Sequence, residues 1–522
     1  MPIRMVDDPE SSNQNDDNGG GGNGPNFSGG GNGGGGLFAL LPLLFSLFRG
    51  KGIIVLLIIG AIGYFLMGRG GCNTASVVQN LFSKSGYNFD PKQFSKASVY
   101  EGLEDDKDKN PLPEAVSLLR FAPKRLNQGQ QGSCVAWSSA YAVQTITIAA
   151  ATGDDPDKIA FSPSYLYNQI RLQGCDGSYV QNAMETMQQN GGMPLSEYPY
   201  SDQDCDRVPD NQQVQEGKQY AIHGFTRLTN GDNVSSINIR AIKEHLAKDA
   251  PVVIGMMVGN SFMQNMMGQE LWTPQGDDAS QIGFGGHAMC VIGYDDRKYG
   301  GAFQIMNSWG TDWGNNGVAW IRYGDFKNYV REAYGIDPLQ KTSNVANIPL
   351  ECTIGLVQND NKKYIPLKIT GNNLFETATP VIKGTRFKME IKNATACYIY
   401  IFGQDTDGSS YTLFPYTAKH SPYCGITGYR LFPNGQSLMA DSIGTKDYMA
   451  IVVSKDSLDY NGLNQQINLS SRSDYAGKVN NALQSIAITS AKFNNTSDGT
   501  IYFKVDANTN KAVASIVAIG KQ

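Results

Sequence analysis

The sequence predicts an α+β chain of more than one domain, with a mixed helical and strand region in the middle and a β-rich region after it. Three observations carry that expectation. A small-residue and aromatic helix pattern runs from Cys134 to Gly153, apolar strand patterns lead into Tyr294 and into Asn307, and alternating strand patterns with turn signals fill residues 346–522. At 522 residues the chain is too long for a single core, so two or three domains are expected. Hydrophobic residues at 41% and charged residues at 17% describe a mostly globular chain. The net charge of -5, without a basic stripe, argues against nucleic acid as a partner. Eight cysteines spread thinly over this length do not form a disulfide-built scaffold.

Residues 1–36 are dominated by Gly, Asn and Asp and bury too little apolar surface to offset their ordering entropy, so a disordered tail is expected. Residues 37–70 form a membrane segment. They hold two apolar stretches, Leu37–Phe48 and Ile53–Met67, of 12 and 15 residues. A spanning helix needs about 20 apolar residues, which the second stretch approaches once flanking glycines and snorkelling cations extend it. A single anchor helix over 50–68 is favoured over a hairpin or a removed signal, because 36 residues of polar chain precede the apolar region. Arg49 and Lys51 before it and Arg69 after it favour an inside N-terminus, which makes the chain single-pass with its folded part extracytoplasmic. Membrane lipid is thus an expected partner. Residues 71–110 are polar and lack periodicity, ending in the charged run Glu104–Lys109, and read as a tether.

Residues 111–345 carry the chemistry. The Gly/Gln loop Gln128-Gly-Gln-Gln-Gly132 ends at Ser133-Cys134, and the helix pattern then begins. That places Cys134 in the first helical turn, where unpaired N–H groups and the positive end of the dipole favour a thiolate, the reactive form of cysteine. A buried core cysteine is the bland alternative, and position alone does not separate the two. Partners do. Of four histidines, His223, His245 and His420 stand without companion motifs, whereas His287 sits in Gly285-Gly-His-Ala just before a buried strand. Twenty residues on, a second strand pattern delivers Asn307, followed by Ser308, Trp309 and Gly310. The Asn307 amide is placed to orient the imidazole, and Trp309 to shield that contact from water. Five methionines in 255–268 (256, 257, 263, 266 and 267) read as core or flexible packing.

In order and local motif these residues resemble the papain/cathepsin family of cysteine peptidases, of bacterial type, over 111–340. Five blocks agree: Gln128, Cys134 opening the helix, Gly-His287-Ala, Asn307-Ser-Trp-Gly310, and a weaker set of Ser162-Pro-Ser-Tyr-Leu166, Gly174-Cys-Asp-Gly177 and Tyr198-Pro-Tyr200. The resemblance implies a papain-like two-subdomain fold, a helical subdomain with an antiparallel β-barrel-like one. It implies that Cys134 attacks the scissile carbonyl and that His287 pairs with the thiolate and protonates the leaving amine. Asn307 then orients the imidazole, and the Gln128 side chain with the Cys134 N–H forms the oxyanion hole. A protein or peptide substrate follows, and no cofactor or metal is expected. A catalytically silent peptide-binding protein and a transglutaminase- or amidase-type acyl-transfer enzyme are the alternatives.

Several departures from the family pattern are visible. Val135 follows the nucleophile where the family more often has Trp, with Trp137 nearby to fill the space. Gln130 and Gln131 stand where a disulfide cysteine is usual, so Cys175 lacks its ordinary partner and either pairs with Cys205 or stays free. The segment before Pro111 lacks the long amphipathic helices of the family propeptide, so control by propeptide removal is not expected. Residues 346–522 are expected to form an all-β antiparallel sandwich, with Cys397–Phe402 and Tyr411–Phe414 as a hairpin and a possible protein partner. The Phe402–Gly408 turn lacks a calcium-loop ligand pattern and reads as a surface turn.

Overall fold

The computed structural model describes residues 3–8, 86–276, 278, 284–339, 348–507 and 510–522. The expected membrane segment 37–70 and most of the expected tail lie outside the described residues. In chain order the elements of the first half are β1 (Ile3–Asp7), α1 (Pro91–Phe94), β2 (Ala115–Ser117), α2 (Cys134–Thr152), α3 (Pro163–Ile170) and α4 (Val180–Asn190). They continue as β3 (Phe225–Arg227), α5 (Ile239–Leu246), β4 (Val252–Val258), β5 (Gly285–Asp295), β6 (Ala302–Met306), β7 (Val318–Arg322) and β8 (Val330–Ile336).

Helix α2 is the axis of the helical subdomain. Its small residues let neighbours approach closely, and Val135, Val143, Ile146 and Ala149 are fully buried. Gly153 ends it in the left-handed conformation (φ 80°), donating its N–H to the Ala149 carbonyl. Among the described residues this is the one helix long and apolar enough to cross a membrane, and it is buried in the domain core. Ser162 caps α3 by accepting from the Tyr165 N–H at 3.1 Å, with Pro163 at the first helical position. The second subdomain is an antiparallel sheet of order β3-β8-β4-β5-β6-β7, with β2 pairing alongside β5. Its strand path is open: among the described residues no ladder joins β7 to β3, so it is a sheet rather than a closed barrel.

The C-terminal domain comprises β9 (Leu350–Gln358), β10 (Leu367–Ile369), β11 (Leu374–Thr377), β12 (Arg386–Asn393), β13 (Cys397–Gln404), β14 (Ser410–Phe414) and β15 (Tyr423–Cys424). It ends with β16 (Gly428–Phe432), β17 (Gln436–Ala440), β18 (Lys446–Ser454), α6 (Tyr460–Leu469), α7 (Tyr475–Leu483), β19 (Phe493–Asn495), β20 (Ile501–Val505) and β21 (Ala512–Gly520). The expected hairpin is β13–β14, with a bulge at Ile401/Phe402. One sheet runs β1-β17-β12-β9-β20-β19 with β16 on β12, and the other β10-β11-β21-β18-β13-β14 with β15 on β13. Their facing sides enclose one core that includes Ile354, Met389, Ile399 and Val517.

Three expectations are corrected here. The domain is not all-β: α6 and α7 cover the outer face of the second sheet, where Leu463, Ile467, Val479 and Leu483 pack on Tyr400 and Val452. Their Asn/Gln-rich sequence hides a narrow apolar face, Leu463 and Ile467 on α6 and Tyr475, Val479 and Leu483 on α7. The disordered tail does not include its first residues, because Ile3–Asp7 adds an antiparallel strand to the edge strand β17 and Asp8 pairs with Lys388 at 2.7 Å.

The third correction concerns the tether. Residues 86–110 are a strap laid against the folded domains, with Tyr87, Phe94, Ala97, Val99, Tyr100 and Leu103 all buried. These apolar residues follow no helix or strand period, because each meets a different surface as the chain turns. Asp90 caps the short helix α1 within this strap, accepting from the Lys92 N–H at 2.8 Å.

Candidate functional site

Cys134 opens α2 as the sequence predicts. The Trp137 N–H donates to the Ser133 carbonyl as the first helical bond (3.1 Å), so the N–H groups of Cys134 and Val135 have no partner within the helix. Both face the sulfur, as do the backbone N–H groups of Gly86 and of Ala288, the latter 3.4 Å from Sγ. Ala288 follows His287 on β5, so the strand that carries the imidazole also touches the sulfur. Among the described residues Sγ makes no hydrogen bond to the imidazole itself.

His287 Nε2 lies 2.7 Å from Asn307 Oδ1, the contact the sequence predicts. The Asn307 carbonyl oxygen is oriented in turn by the Ser308 N–H at 2.7 Å. Trp309 stacks on the imidazole with centroids 4.3 Å apart and 25° between planes, and Phe262 and Trp313 pack behind Trp309. Gly310, Gly314 and Gly317 take positive φ in the loop that turns Trp309 back over the ring, where a side chain would be strained.

The loop before α2 is held against this loop by paired backbone bonds, Gln128 N–H to Ser308 O (2.8 Å) and Gly310 N–H to Leu126 O (3.1 Å). The Gln128 side chain is fixed at both ends. Ser308 Oγ donates to its Oε1 (2.6 Å), and its Nε2 donates one hydrogen to the Gln131 carbonyl (2.9 Å). The second amide hydrogen remains for an oxyanion. Tyr200 ties the helical subdomain to this loop by donating to the Gln128 carbonyl (2.7 Å) and meeting Ser133 Oγ (2.8 Å). Ser308 and Tyr200 thus position Gln128, roles that their place in the quoted motifs did not reveal.

The electrostatics differ from the sequence expectation. Burial pushes the Cys134 thiol up to about 12, overriding the backbone N–H groups that act against it. Burial also pushes His287 down to about 4, against the Asn307 contact. Both groups are therefore uncharged at neutral pH, and the helix terminus alone does not yield a thiolate.

The reason is what covers them. Cys134 is fully buried and His287 is 3% exposed, because Gly86–Asn88 lies across the site. Ser178 N–H donates to the Gly86 carbonyl and Asn88 N–H donates to the Ser178 carbonyl, both at 3.1 Å, in a parallel bridge around Tyr87. A Cβ on Gly86 would stand 2.4 Å from the Gly132 carbonyl carbon, so the backbones pass in direct contact. The Tyr87 ring fills a pocket floored by Gly255 and Gly286, where an added Cβ would approach it to 2.2 and 2.4 Å. The two glycines before His287 do open a space, and the chain's own Tyr87 occupies it.

The remaining sequence landmarks fall elsewhere. Cys175 and Cys205 form a disulfide, with Cα atoms 6.2 Å apart, in the loop that presents Ser178. Tyr167 supports that loop, donating to the Cys175 carbonyl (2.7 Å). His223 contacts Asp337 (2.7 Å), His245 is buried against the Ala241 carbonyl (2.8 Å), and His420 lies beside Thr417 (3.1 Å). None reaches the site. Of the five methionines, Met256 and Met266 are core, while Met267 is exposed.

Residues 121–337 match the family model described as papain family cysteine protease. Cathepsin K of Mus musculus is 31% identical over 212 residues, covering 40% of this chain and 59% of that protein. Cathepsin K of Gallus gallus is 31% identical over 211 residues, covering 39% and 57%. The chain thus spans less than two thirds of the length of these curated relatives. Among solved structures, xylellain, a cysteine protease from Xylella fastidiosa, is 24% identical with a TM-score of 0.41, over 49% of this chain and 98% of that one. Residues 121–337 therefore form a domain of the papain family of cysteine proteases.

Proposed function

We propose that the chain is a cysteine peptidase that hydrolyses peptide bonds of a protein or peptide substrate through Cys134, His287, Asn307 and Gln128. The observation that carries the reading is the His287 Nε2–Asn307 Oδ1 contact of 2.7 Å beneath Trp309, on the strand whose next residue touches Cys134 Sγ. With the cleft open to water and substrate, the thiol proton passes to the imidazole and the sulfur attacks the scissile carbonyl carbon. The oxyanion accepts from the Cys134 N–H and the free Gln128 amide hydrogen. His287 then protonates the leaving amine, and water, deprotonated by the same imidazole, hydrolyses the thioester and regenerates the thiol.

The peptidase is held at a membrane through residues 37–70, a reading supported by their two apolar stretches. The Cys175–Cys205 disulfide supports an extracytoplasmic, oxidising surrounding for the catalytic domain.

An epoxide-type cysteine-peptidase probe, read together with hydrolysis of a peptide library, tests the catalytic reading. Labelling of the Tyr87→Gly chain, whose cleft is vacated, and not of the same chain carrying Cys134→Ala, with peptide cleavage, is expected. Equal labelling of both removes Cys134 as nucleophile. Labelling without cleavage favours acyl transfer to another acceptor.

A further inference from the structure

The strap does not end at the cleft. Beyond α1 it runs between the two domains and is bonded to both. Around Val99 the chain is a single rung with a partner on either side. Arg227 N–H donates to the Ser98 carbonyl (2.8 Å) and Tyr100 N–H to the Arg227 carbonyl (3.2 Å) on the peptidase side. Val99 N–H donates to the Lys419 carbonyl (2.6 Å) and Ser421 N–H to the Val99 carbonyl (3.0 Å) on the C-terminal side. Farther on, Asn110 exchanges two bonds with Tyr429, its Nδ2 donating to the carbonyl (3.0 Å) and its Oδ1 accepting from the N–H (2.9 Å). The fully buried Arg430 donates to the Glu101 carbonyl at 3.0 Å, and Lys109 pairs with Glu390. A direct bond between the domain bodies, Lys248 Nζ to Thr427 Oγ1, is a long 3.3 Å.

The cleft end is held more lightly. Two backbone bonds at Ser178, one from Asn88 Nδ2 to the Asp176 carbonyl (3.1 Å) and the Tyr87 ring secure it. Charged and neutral hydrogen bonds gather instead along residues 97–110, where the strap meets both domains: on the peptidase side Arg240 donates to Asp105 (2.6 Å), and the Tyr100 hydroxyl (3.1 Å) and the Leu103 N–H (3.2 Å) donate to Glu244. A segment that covers a site at one end and is fastened at the other between two domains is arranged so that the second domain bears on the first.

We propose that the C-terminal domain is a clamp: by gripping residues 98–110 it keeps Gly86–Asn88 seated over Cys134, and its displacement releases the cleft. This rests on the peptidase reading for its consequence, but the covering of Cys134 stands apart from it. Release frees the Ser178 backbone for a substrate strand and vacates the Tyr87 pocket. It also returns water to Cys134 and His287, whose burial now keeps both uncharged.

The full chain tests the clamp, read by the rate at which iodoacetamide alkylates Cys134, located by mass spectrometry of the peptide that contains it. Val99→Pro removes the donor to Lys419, and Asn110→Ala removes the bonds to Tyr429. Tyr87→Gly vacates the pocket directly. All three are expected to speed alkylation tenfold or more, and Tyr87→Gly combined with Asn110→Ala to add little, since both act on one closure. Thermal melting identifies any variant that has lost the C-terminal fold, and the other clamp variant then decides. If Tyr87→Gly accelerates alkylation and both clamp variants fold yet react as wild type does, the clamp is overturned. If all three accelerate it and none cleaves peptides, the clamp stands and the peptidase reading falls.

Discussion

Cys134, His287, Asn307 and Gln128 converge from α2, β5, the end of β6 and the loop before α2, whereas residues 86–110 make their contacts as one continuous run of chain. In the proposed reading the first group works by side-chain chemistry. The strap works largely by backbone. At its cleft end Gly86, Gly132, Gly177, Gly255 and Gly286 matter for the side chains they lack. Assembling a reactive cluster and covering it are thus separate problems, solved here with different parts of the amino-acid repertoire. Substitutions should therefore fail in different ways: by type in the cluster, by volume or donor loss in the strap.

The largest expected effect lies in the cluster. In a Tyr87→Gly background, Cys134→Ala should lower kcat/KM for a peptide substrate by about 10⁴-fold or more. An equal rate in the two would dissolve the distinction, since the cysteine would then be part of the packing. Next comes Gln128→Ala, expected to lower kcat by about 10²–10³ while KM moves little, as for one lost oxyanion donor. Ser308→Ala should give a smaller loss of about tenfold, because the Gln128 amide remains but loses the hydroxyl that orients it.

A pH effect belongs to the strap. Burial raises the Glu101 carboxyl from 4.5 to about 8, against the pull of Arg430. Its proton is therefore retained in the folded state. Its contribution to stability is complete below about pH 4.5 and is lost as pH rises toward about 8. Glu101→Gln should flatten that decline, sparing about 2–4 kcal/mol between pH 5 and 8 in denaturant titrations of the full chain. A wild-type profile as flat as that of the variant would mean that the carboxyl is already solvated. The last effect tests volume alone. Gly86→Val would drive a branched carbon into Gly132 and should raise the Cys134 alkylation rate about tenfold, with peptide hydrolysis following. An unchanged rate would show that the backbones do not touch as described.

The same contrast explains what could be read in the sequence. A Cys at a helix start, a His beside glycines and an Asn before Ser-Trp-Gly are restricted by chemistry, so the four candidate site residues could be named without coordinates. Trp309 was placed as a shield by its position two residues after Asn307, and its ring stacks on the imidazole. The strap was not. Tyr87, Phe94, Val99 and Leu103 fall at no regular interval, and nothing local says that Tyr87 will meet Gly255 and Gly286, which lie far along the chain. Helices α6 and α7 were hidden by polar composition, and the strand β1 by the glycine-rich stretch that follows it. A dipole argument at Cys134 sees one helix end, whereas desolvation depends on what lies over it.

The order of attachments along the strap has a mechanical meaning. Gly86 lies at the cleft end of the strap, while the C-terminal domain is bonded to it farther on. Tension arriving from the N-terminal side reaches the two Ser178 bonds first and loads them in turn, like a zipper drawn from its open end. A torque on the C-terminal domain arrives from the opposite end, through Val99 and Asn110. One closure is therefore exposed to two inputs, a pull and a twist, and the pull meets the weaker fastening.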